Sequence, residues 1–543
     1  MLNCNVILGP PGTGKTTRLV RLLEAELDGG LRPSEVAVAT FTRAAREEVL
    51  KKIRDKFGYP DTMFPWIRTI HSTAYHLLRV THDQIIQPKH WTEFGKLHGY
   101  RFSRTTAQSL ENPLRDYPRR TRDDRFRAAL EWGRNRRVAV ADIPRRAPVA
   151  VSPGQFAVFA ERWAAFKYAT GMFDFTDLLE RALDSTEAPP VRVAMIDEAQ
   201  DTSVLQIACV ERWFDRWGVE RVFVVGDEDQ CLYEWQGADP AWLMRLAAAK
   251  TPEVLAQSYR IPRAVFALAQ RIIARVRTRI PKEYLPRDDD GAVTQADGVV
   301  AVRGLAHDIY HGTHPGSVFF LARNRQFLAE PARRLMEARV PFLVEGTGGE
   351  CPYSNRKLIT AITTTIALMC EGKAVSIRAL RSLCDLATPG LLRRGLKAHL
   401  DTLKGRARSF QQQSLGFGDL IAAAQADWPG AVLQRGVTPE VRAYLADIWR
   451  LNDNWMPDPR IICTTIHAAK GREADTVYIC HDMTTATYQA YCKRDTAETE
   501  HRLAYVAVTR ARKKCILVRP TTHKYYNYPV LATPAIPTPE GAH

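Results

Sequence analysis

A glycine-rich segment near the start of the chain constrains its fold more than any other feature. The sequence GPPGTGKT at residues 9–16 follows a short apolar stretch, Asn5–Leu8, and precedes a helical pattern over 17–27. Glycines in such a loop let backbone N–H groups surround phosphate groups, and the first turn of the following helix adds positive electrostatic potential. Strand, loop and helix in this order predict a P-loop within an α/β fold.

The P-loop assigns a phosphate-handling role to its residues. Lys15 is predicted to reach the β- and γ-phosphates, and the Thr16 hydroxyl is predicted to ligate Mg²⁺. The predicted nucleotide-binding residues are Gly9, Pro10, Pro11, Gly12, Thr13, Gly14, Lys15, Thr16 and Thr17.

A second, acidic segment supplies the chemistry that a P-loop requires. Residues 191–196 form an apolar run suited to a buried parallel strand, and the run ends in Asp197 and Glu198. Adjacent carboxylates at this position need a function, because burying them costs free energy. We predict that Asp197 is a second Mg²⁺ ligand and that Glu198 is the base that orients the attacking water. The sequence thus predicts hydrolysis of a nucleoside triphosphate, with Mg²⁺ as a cofactor.

Length and composition set the broad class of protein. At 543 residues the chain is expected to fold into several domains, since single domains typically hold about 100–200 residues. No apolar run reaches the roughly 18 residues of a membrane span, and the first residues lack the order of a secretory leader. We therefore expect a cytoplasmic protein without a membrane partner. The ten cysteines include no CxxC pair, so a zinc ribbon is not indicated.

The charge of the chain favours a polyanionic partner. Its formal net charge is +16, and phosphates attract lysine and arginine whatever the base sequence. Residues 101–150 hold thirteen arginines against six acidic residues. This local excess suits either the flank of a nucleic-acid groove or a solvated helical surface.

Further short segments follow one another along the chain in a characteristic order. They are 40–45 (TFTRAA), 69–72 (TIHS), 174–178 (DFTDL), 226–237 (GDEDQ and the residues up to a glycine), 258–260 (SYR), 465–471 (TIHAAKG) and 505–511 (YVAVTRA). Together with the P-loop and the acidic segment 197–201, this series resembles the UvrD/Rep family of superfamily 1 DNA helicases, over about residues 9–515.

The resemblance implies how the triphosphate is handled. Gln230 would sense the γ-phosphate or its water, while Arg260 and Arg510 would contact the γ-phosphate from a second domain. An arginine donated across a domain interface stabilises the transition state of phosphoryl transfer and so raises the rate roughly 10³–10⁵-fold. It also makes hydrolysis depend on closure of the two domains. The resemblance also implies that Tyr259 stacks on the adenine and that Glu473 binds the ribose.

The same resemblance implies a path for nucleic acid. Tyr233 and Trp235 stand at alternating positions, so both rings are expected to point the same way and to stack on unpaired bases, at roughly 1–3 kcal/mol per base. Ordinary core packing is the other interpretation of these two rings. The other residues expected to touch the strand are Phe41, Thr42, His71, Thr465 and His467. Single-stranded DNA and single-strand/duplex junctions are the expected partners, and the residues do not exclude RNA.

The order of the motifs predicts an α/β architecture of two RecA-like P-loop domains, with parallel sheets flanked by helices and a mainly helical insertion in each. The predicted boundaries are 1–79 and 169–257 for the first domain, 80–168 for its Arg-rich insertion, 258–350 and 456–520 for the second domain, 351–455 for its insertion, and 521–543 for a disordered tail. The strands expected in the second domain are 299–302, 318–322, 461–466, 476–480 and 515–518.

Several positions depart from the family pattern. Gln236 stands where arginine is usual, and Arg472 and Ala474 replace the usual leucine and phenylalanine. Only eight residues precede Gly9, so the glutamine by which family members read adenine is expected to be missing. The coupling between hydrolysis and strand grip, and the strict selection of ATP, are therefore expected to differ.

We predict an ATP-dependent single-stranded DNA translocase and DNA helicase, with the 3′-to-5′ polarity that the resemblance implies. Two alternatives stay open at this point. One is a nucleic-acid-gated ATPase sensor, or a subunit of a repair or defence complex, that does not unwind by itself. The other is a small-molecule P-loop kinase, against which the paired arginines and the interleaved motifs argue.

Overall fold

The computed structural model describes residues 3–103, 121–310, 316–345, 355–369, 375–402, 417–434, 436–451 and 459–529. These residues form two six-stranded sheets in which neighbouring strands run parallel. None of the helices in these ranges is both long and apolar enough to cross a lipid bilayer. The predicted fold class, two parallel sheets flanked by helices, is confirmed.

The first sheet places the P-loop and the acidic segment at one edge. Its strands are β1 (Asn5–Leu8), β2 (Val36–Thr40), β3 (Ile67–Thr69), β4 (Val193–Ile196), β5 (Arg221–Gly226) and β6 (Glu253–Val254). Their order across the sheet is β3-β2-β4-β5-β1-β6. Because β1, β4 and β5 are parallel neighbours, their carboxyl ends share one edge, which is where open α/β sheets bind ligands.

Helices cover both faces of this sheet. The helices in this part of the chain are α1 (Lys15–Asp28), α2 (Arg43–Phe57), α3 (Ile70–Leu77), α4 (Pro88–His98), α5 (Arg122–Asn135), α6 (Ile143–Arg146), α7 (Pro153–Thr170), α8 (Phe175–Ala182), α9 (Val204–Arg216) and α10 (Pro240–Ala249). In β2, Val36 and Val38 pack with the apolar residues of α1 and α2, whereas Ala37 and Ala39 pack with those of α8 and α9. A strand that is buried on both faces reads as a continuous apolar run, which is why β4 could be located from sequence.

The first insertion is helical over its described residues and has an aromatic core of its own. Trp91 in α4 stacks on Trp163 in α7, with 3.7 Å between ring centroids. Arg134 at the end of α5 pairs with Asp174 at 3.0 Å, which fixes the insertion to the start of α8. Residues 104–120 of the predicted Arg-rich stretch lie outside the described residues.

The second sheet is also parallel and has the order β7-β12-β11-β8-β10-β9. Its strands are β7 (Ala292–Ala296), β8 (Val318–Ala322), β9 (Phe342–Val344), β10 (Ile461–Thr465), β11 (Ala474–Cys480) and β12 (Ala511–Val518). Its helices, with those of the second insertion, are α11 (Arg263–Ile273), α12 (Gly298–Tyr310), α13 (Ala329–Glu337), α14 (Arg356–Met369), α15 (Ile377–Leu386), α16 (Leu396–Thr402), α17 (Gly418–Ala426), α18 (Pro439–Leu451), α19 (Thr485–Cys492) and α20 (Arg494–Val508).

Four of the five strands expected in the second domain overlap observed strands, and the fifth prediction is wrong. Residues 299–302 lie within α12 instead. A run of four apolar residues fits a strand and a buried helix equally well, so the pattern did not distinguish them. The strand at this edge is β7, in which Thr294 and Gln295 are exposed. Because β7 is partly polar, it does not show the apolar run that is typical of a buried parallel strand.

The second insertion is helical over its described residues, as predicted, and packs on the second sheet rather than standing apart from it. The Tyr444 hydroxyl of α18 donates to the carbonyl of Val340 at 2.7 Å. The same ring meets Phe342 of β9 at 6.3 Å between centroids. The insertion and this face of the sheet therefore share one hydrophobic core.

The predicted disordered tail is wrong for its first nine residues. Tyr526 and Tyr528 are only 3% and 6% exposed and pack into the core of the second domain. The Asp482 carboxylate accepts hydrogen bonds from the backbone N–H groups of Thr521 and Thr522 at 3.0 and 2.8 Å. The prolines nearby suggested a loose terminus, but aromatic burial stabilises this segment. Residues 530–543 lie outside the described residues.

Candidate nucleotide site and nucleic-acid interface

The P-loop connects the carboxyl end of β1 directly to α1. The N–H of Gly9 donates to the carbonyl of Gly226 at 2.9 Å and so continues the pairing of β1 with β5. Gly12 and Gly14 have φ angles of 76° and 83°, a left-handed conformation that side chains disfavour. After these turns α1 begins at Lys15, so that its free N–H groups lie beside the loop. The loop residues buried here are Gly9, Pro10, Pro11 and Thr13.

The Lys15 side chain folds back over the loop toward the acids. Its ammonium group donates to the carbonyl of Gly9 at 3.1 Å and lies 3.6 Å from the Glu198 carboxylate. A methyl group on Gly9 would lie 2.2 Å from Cγ of Lys15, so glycine is required for this path. Thr16 and Thr17 follow in the first turn of α1, with Thr16 half-buried and Thr17 exposed.

The predicted acidic pair lies where β4 ends. Asp197 is 3% exposed, and one of its carboxylate oxygens accepts the N–H of Glu198 at 2.9 Å. Glu198 has a φ of 51°, a strained conformation for a residue other than glycine. Such strain clusters at functional sites, because the surrounding structure must hold it in place.

The environment separates the proton affinities of these two acids. Burial raises the pKa of Asp197 to about 7, and the nearby Glu198 charge adds to this shift. Burial also opposes ionisation of Glu198, but the ammonium groups of Lys15 and Lys470 hold its pKa at about 2. Glu198 is thus a carboxylate near neutral pH, while Asp197 requires a compensating positive charge to stay ionised.

The residues near the P-loop fit a magnesium ion. Mg²⁺ prefers oxygen ligands and keeps several waters when it is bound through one or two protein groups. The Thr16 hydroxyl and the Asp197 carboxylate are oxygen donors at the start of α1 and at the end of β4. A divalent ion would also stabilise the ionised form of the buried Asp197. Both assignments stay predictions.

Gln200 is a site residue that the sequence reasoning missed. Its amide nitrogen donates to the Glu198 carboxylate, and its amide oxygen accepts the N–H of Asp227 at 2.9 Å. The side chain is completely buried. Gln200 therefore connects the ends of β4 and β5 and holds Glu198 in its strained position. An amide two residues after an acidic pair was the available signal.

A first-domain glutamine and a second-domain arginine meet beside the acids. Gln230 donates to the carboxylate of Asp227 at 2.7 Å, and its amide oxygen accepts a hydrogen bond from Arg510 at 3.3 Å. The Arg510 guanidinium also donates to the carbonyls of Val506 at 3.0 Å and Arg472 at 3.3 Å. Arg510 is 1% exposed, so its direction is fixed by these acceptors.

The segment that contains Arg260 lies against the P-loop. The Ser258 hydroxyl donates to the carbonyl of Pro11 at 2.8 Å, and the N–H of Tyr259 donates to the carbonyl of Gly12 at 2.9 Å. A methyl group on Gly12 would lie 2.4 Å from Cβ of Arg260. The structure therefore brings Arg260 and Arg510 to the same cleft as the P-loop and the acids.

Two arginines lie close enough together in the cleft to influence each other. Burial lowers the pKa of Arg510 to about 9, and the neighbouring Arg260 adds to this shift. Arg260 forms an ion pair with Glu473 at 2.5 Å, and Glu473 also lies 3.3 Å from Arg512. The predicted ribose-binding acid is therefore engaged by arginines in this conformation. Tyr259, the predicted adenine partner, is 71% exposed and available for stacking.

The two rings predicted to stack on bases differ in accessibility. Tyr233 is 3% exposed and stacks on Phe41, with ring centroids 5.1 Å apart. The Lys470 ammonium lies 5.3 Å from the centre of the Tyr233 ring. The expectation that both rings face the strand therefore does not hold in this conformation, since core packing covers Tyr233. Trp235 remains half-buried.

The other predicted strand contacts also divide into accessible and covered residues. His71 meets the exposed ring of Phe175 edge-on at 5.8 Å, and burial of the imidazole lowers its pKa to about 4. The Thr42 hydroxyl caps α2 by accepting the N–H of Ala45 at 3.1 Å. Thr465 and His467 are each 1% exposed and are not accessible to a strand in this conformation. Phe175, which follows Asp174 in its motif, is an exposed ring that sequence reasoning passed over.

An acidic cluster near the cleft is an ion-pair centre rather than a metal site. Carboxylate oxygens of Asp227, Glu228 and Asp229 lie within 4.8 Å of one another. The buried Lys282 ammonium lies 3.0 Å from both Asp227 and Asp229 and also pairs with Glu228. These charges raise the pKa of Lys282 against the opposing effect of burial. The cation of this cluster is thus the lysine itself.

Comparison with known proteins places these motifs in context. Two family models match the chain, the UvrD/REP helicase N-terminal domain over residues 2–250 and the UvrD-like helicase C-terminal domain over residues 446–520. The chain is 25% identical to ATP-dependent DNA helicase UvrD2 of Mycobacterium tuberculosis, over 93% of this chain and 75% of that protein. It is 22% identical to ATP-dependent DNA helicase PcrA of Leuconostoc citreum, over 96% of this chain and 80% of that protein. The segment matched by the N-terminal family model contains the P-loop and the acids, and the segment matched by the C-terminal family model contains Arg510.

Proposed function

Since the chain belongs to the UvrD-like family of superfamily 1 helicases, we propose that it uses ATP to move along single-stranded DNA from 3′ to 5′ and to unwind the duplex ahead of it. The family accounts for ATP-dependent DNA helicase activity. The proposal of a translocating motor rests mainly on one contact, the hydrogen bond between Arg510 and Gln230 across the two domains.

We assign the chemical step to residues of both domains. Thr16 and Asp197 would hold Mg²⁺, which supplies charge neutralisation at the β- and γ-phosphates. Glu198 accepts the proton of the attacking water or orients it, since its low pKa keeps it a carboxylate near neutral pH. Arg260 and Arg510 would stabilise the charge that spreads over the transferred phosphoryl group.

Coupling between hydrolysis and movement follows from where these groups come from. The P-loop and the acids belong to the first domain, whereas Arg510 belongs to the second. Only a closed cleft brings both sets of groups to one triphosphate, and loss of the products removes the anion that the two arginines face. Each ATP cycle would therefore close and reopen the domains.

We place the strand along the surface that contains Trp235, Phe41 and His71. Trp235 is half-buried, and its loop begins next to Gln230, so a change at the γ-phosphate reaches the ring through few residues. Stacking on an aromatic face tolerates any base, which suits a motor that must move along any sequence. The net charge of +16 favours binding of the negatively charged phosphate backbone of such a strand.

The test combines ATPase and unwinding assays on the full chain. We expect single-stranded DNA to stimulate hydrolysis and duplexes with 3′ tails to be unwound in preference to duplexes with 5′ tails. Glu198→Gln is the matched control, because it should bind ATP without hydrolysing it. Strand-stimulated hydrolysis without unwinding of either duplex would contradict the helicase and favour a nucleic-acid-gated ATPase. Equal stimulation by RNA would contradict the choice of DNA.

A further inference from the structure

The turn that contains Trp235 is held by the second domain on one side. Glu234, the residue before Trp235, accepts a hydrogen bond from the Thr499 hydroxyl of α20 at 2.9 Å. The same carboxylate lies 3.7 Å from the largely buried guanidinium of Arg502. Movement of α20 relative to the first domain therefore acts on the backbone directly before Trp235.

The first insertion holds the other side of the turn. Arg136 directly follows α5, and its guanidinium donates to the carbonyl of Ala238 at 3.1 Å. The backbone passes close to the helix end, since a methyl group on Gly237 would lie 2.8 Å from Cβ of Asn135. Gly237 also has a φ of 100°, so a side chain here would be strained as well as crowded.

The end of the turn is fixed to the first domain next to the acidic segment. The N–H of Asp239 donates to the carbonyl of Thr202 at 3.0 Å, and Ala238 forms a β-bridge with Ser203. Arg136 lies 3.9 Å from the Asp239 carboxylate, which adds a weak electrostatic attraction to its hydrogen bond. Trp235 thus stands between one anchor on the second domain and another shared by the first domain and its insertion.

The present position of the Trp235 ring leaves one polar group unsatisfied. Its indole N–H is covered by protein and has no hydrogen-bond acceptor among the described residues. A covered donor without an acceptor costs free energy, and a position of the ring that gave the N–H an acceptor would avoid this cost.

We propose that Arg136 is a positioning residue for Trp235, and that its hydrogen bond to Ala238 sets the orientation in which the ring stacks on the strand. The inference rests on the proposed function, because it requires Trp235 to contact nucleic acid. Arg136 acts through the backbone of the turn and does not itself bind phosphate. The first insertion thereby contributes to strand grip without touching the strand at this point.

The test measures binding of labelled single-stranded oligothymidylate to Arg136→Ala, alone and combined with Trp235→Ala. We expect the single change to raise the Kd about 3–10-fold, as the loss of one hydrogen bond would. In the Trp235→Ala background the same change should add nothing, because the ring through which it acts is gone. Arg125→Ala is the matched control, since Arg125 is exposed on α5 and has no ion pair among the described residues. Hydrolysis without DNA should stay at its basal rate in the Arg125→Ala control.

Three results would overturn the inference. An unchanged Kd for Arg136→Ala would show that the hydrogen bond does not matter to strand binding. An additive loss in the Trp235→Ala background would show that Arg136 acts elsewhere. If Arg136 instead contacted a phosphate directly, the slope of log K against log salt would become shallower by about 0.7 in Arg136→Ala. Loss of a positioning residue leaves this slope unchanged. If Trp235→Ala alone left binding intact, the proposed stacking role would fail first.

Discussion

Lys470 of the second domain and Asp201 of the first form an ion pair whose side chains are only 10% and 1% exposed. The same ammonium group donates to the carbonyl of Gln230 at 2.6 Å and lies over the ring of Tyr233. One lysine thus touches the acidic segment, the turn proposed to sense the γ-phosphate and a ring beside the proposed strand path. Opening of the cleft must break these contacts together.

Replacing Lys470 alone should lower the free energy of unfolding more than replacing Lys470 and Asp201 together. Lys470→Met leaves the buried Asp201 carboxylate without its ion-pair partner, and breaking a buried ion pair in this way typically costs about 3–5 kcal/mol. The double variant Lys470→Met/Asp201→Asn contains no uncompensated charge and should recover most of that stability. Urea unfolding of the single and double variants measures both. A double variant less stable than Lys470→Met would contradict this account.

Asp201 also gives the chain a pH dependence. Burial raises its pKa from 3.8 to about 6, although Lys470 opposes the shift. The folded chain holds this proton more tightly than the unfolded chain, so the contribution of Asp201 to stability falls as pH rises from about 4 to about 6. Above this range the contribution is constant. Asp201→Asn should lose this pH-dependent component in denaturant unfolding, and an unchanged profile would contradict the assignment.

Asp197 should couple magnesium binding to proton release. Burial and the neighbouring Glu198 raise the pKa of Asp197 to about 7, and a metal ligand must be deprotonated. We therefore expect the apparent Mg²⁺ affinity to fall about tenfold per pH unit below the pKa, with proton uptake from solution when the metal is removed. Magnesium titrations of ATP hydrolysis at several pH values measure the affinity. Equal affinities on both sides of neutrality would exclude Asp197 as a titrating ligand.

The segment after β12 should stabilise the second domain. Tyr526 and Tyr528 are buried, whereas Tyr525 beside them is 37% exposed. Removing a large buried ring typically costs about 3–5 kcal/mol, so Tyr526→Ala and Tyr528→Ala should lower the free energy of unfolding by that order. Tyr525→Ala is the matched control and should cost much less. Three equal effects on thermal unfolding would contradict the burial of this segment.

The sequence predicted those features of the fold that depend only on residues close together in the chain. The P-loop and the strand before Asp197 were identifiable because glycine conformations, helix onset and an apolar run all lie within a few residues. The role of Gln200 and the ion pair of Lys470 depend on elements that meet only in the folded chain. The covering of Tyr233 likewise arises from packing against Phe41, about 190 residues earlier in the sequence. Motif spacing therefore indicated which segments meet at the cleft, but not which of their side chains are covered there.

We propose that one triphosphate is held between groups from both domains, and Arg510→Ala tests this arrangement most directly. Arg510 reaches Gln230 from the second domain. Its loss should therefore reduce the rate of ATP hydrolysis at saturating DNA roughly 10³–10⁵-fold, while ATP still binds. Arg519→Ala, a change at an exposed arginine beyond the end of β12, is the matched control and should hydrolyse ATP at the rate of the unaltered chain. A hydrolysis rate in Arg510→Ala close to that of the control would contradict a shared site.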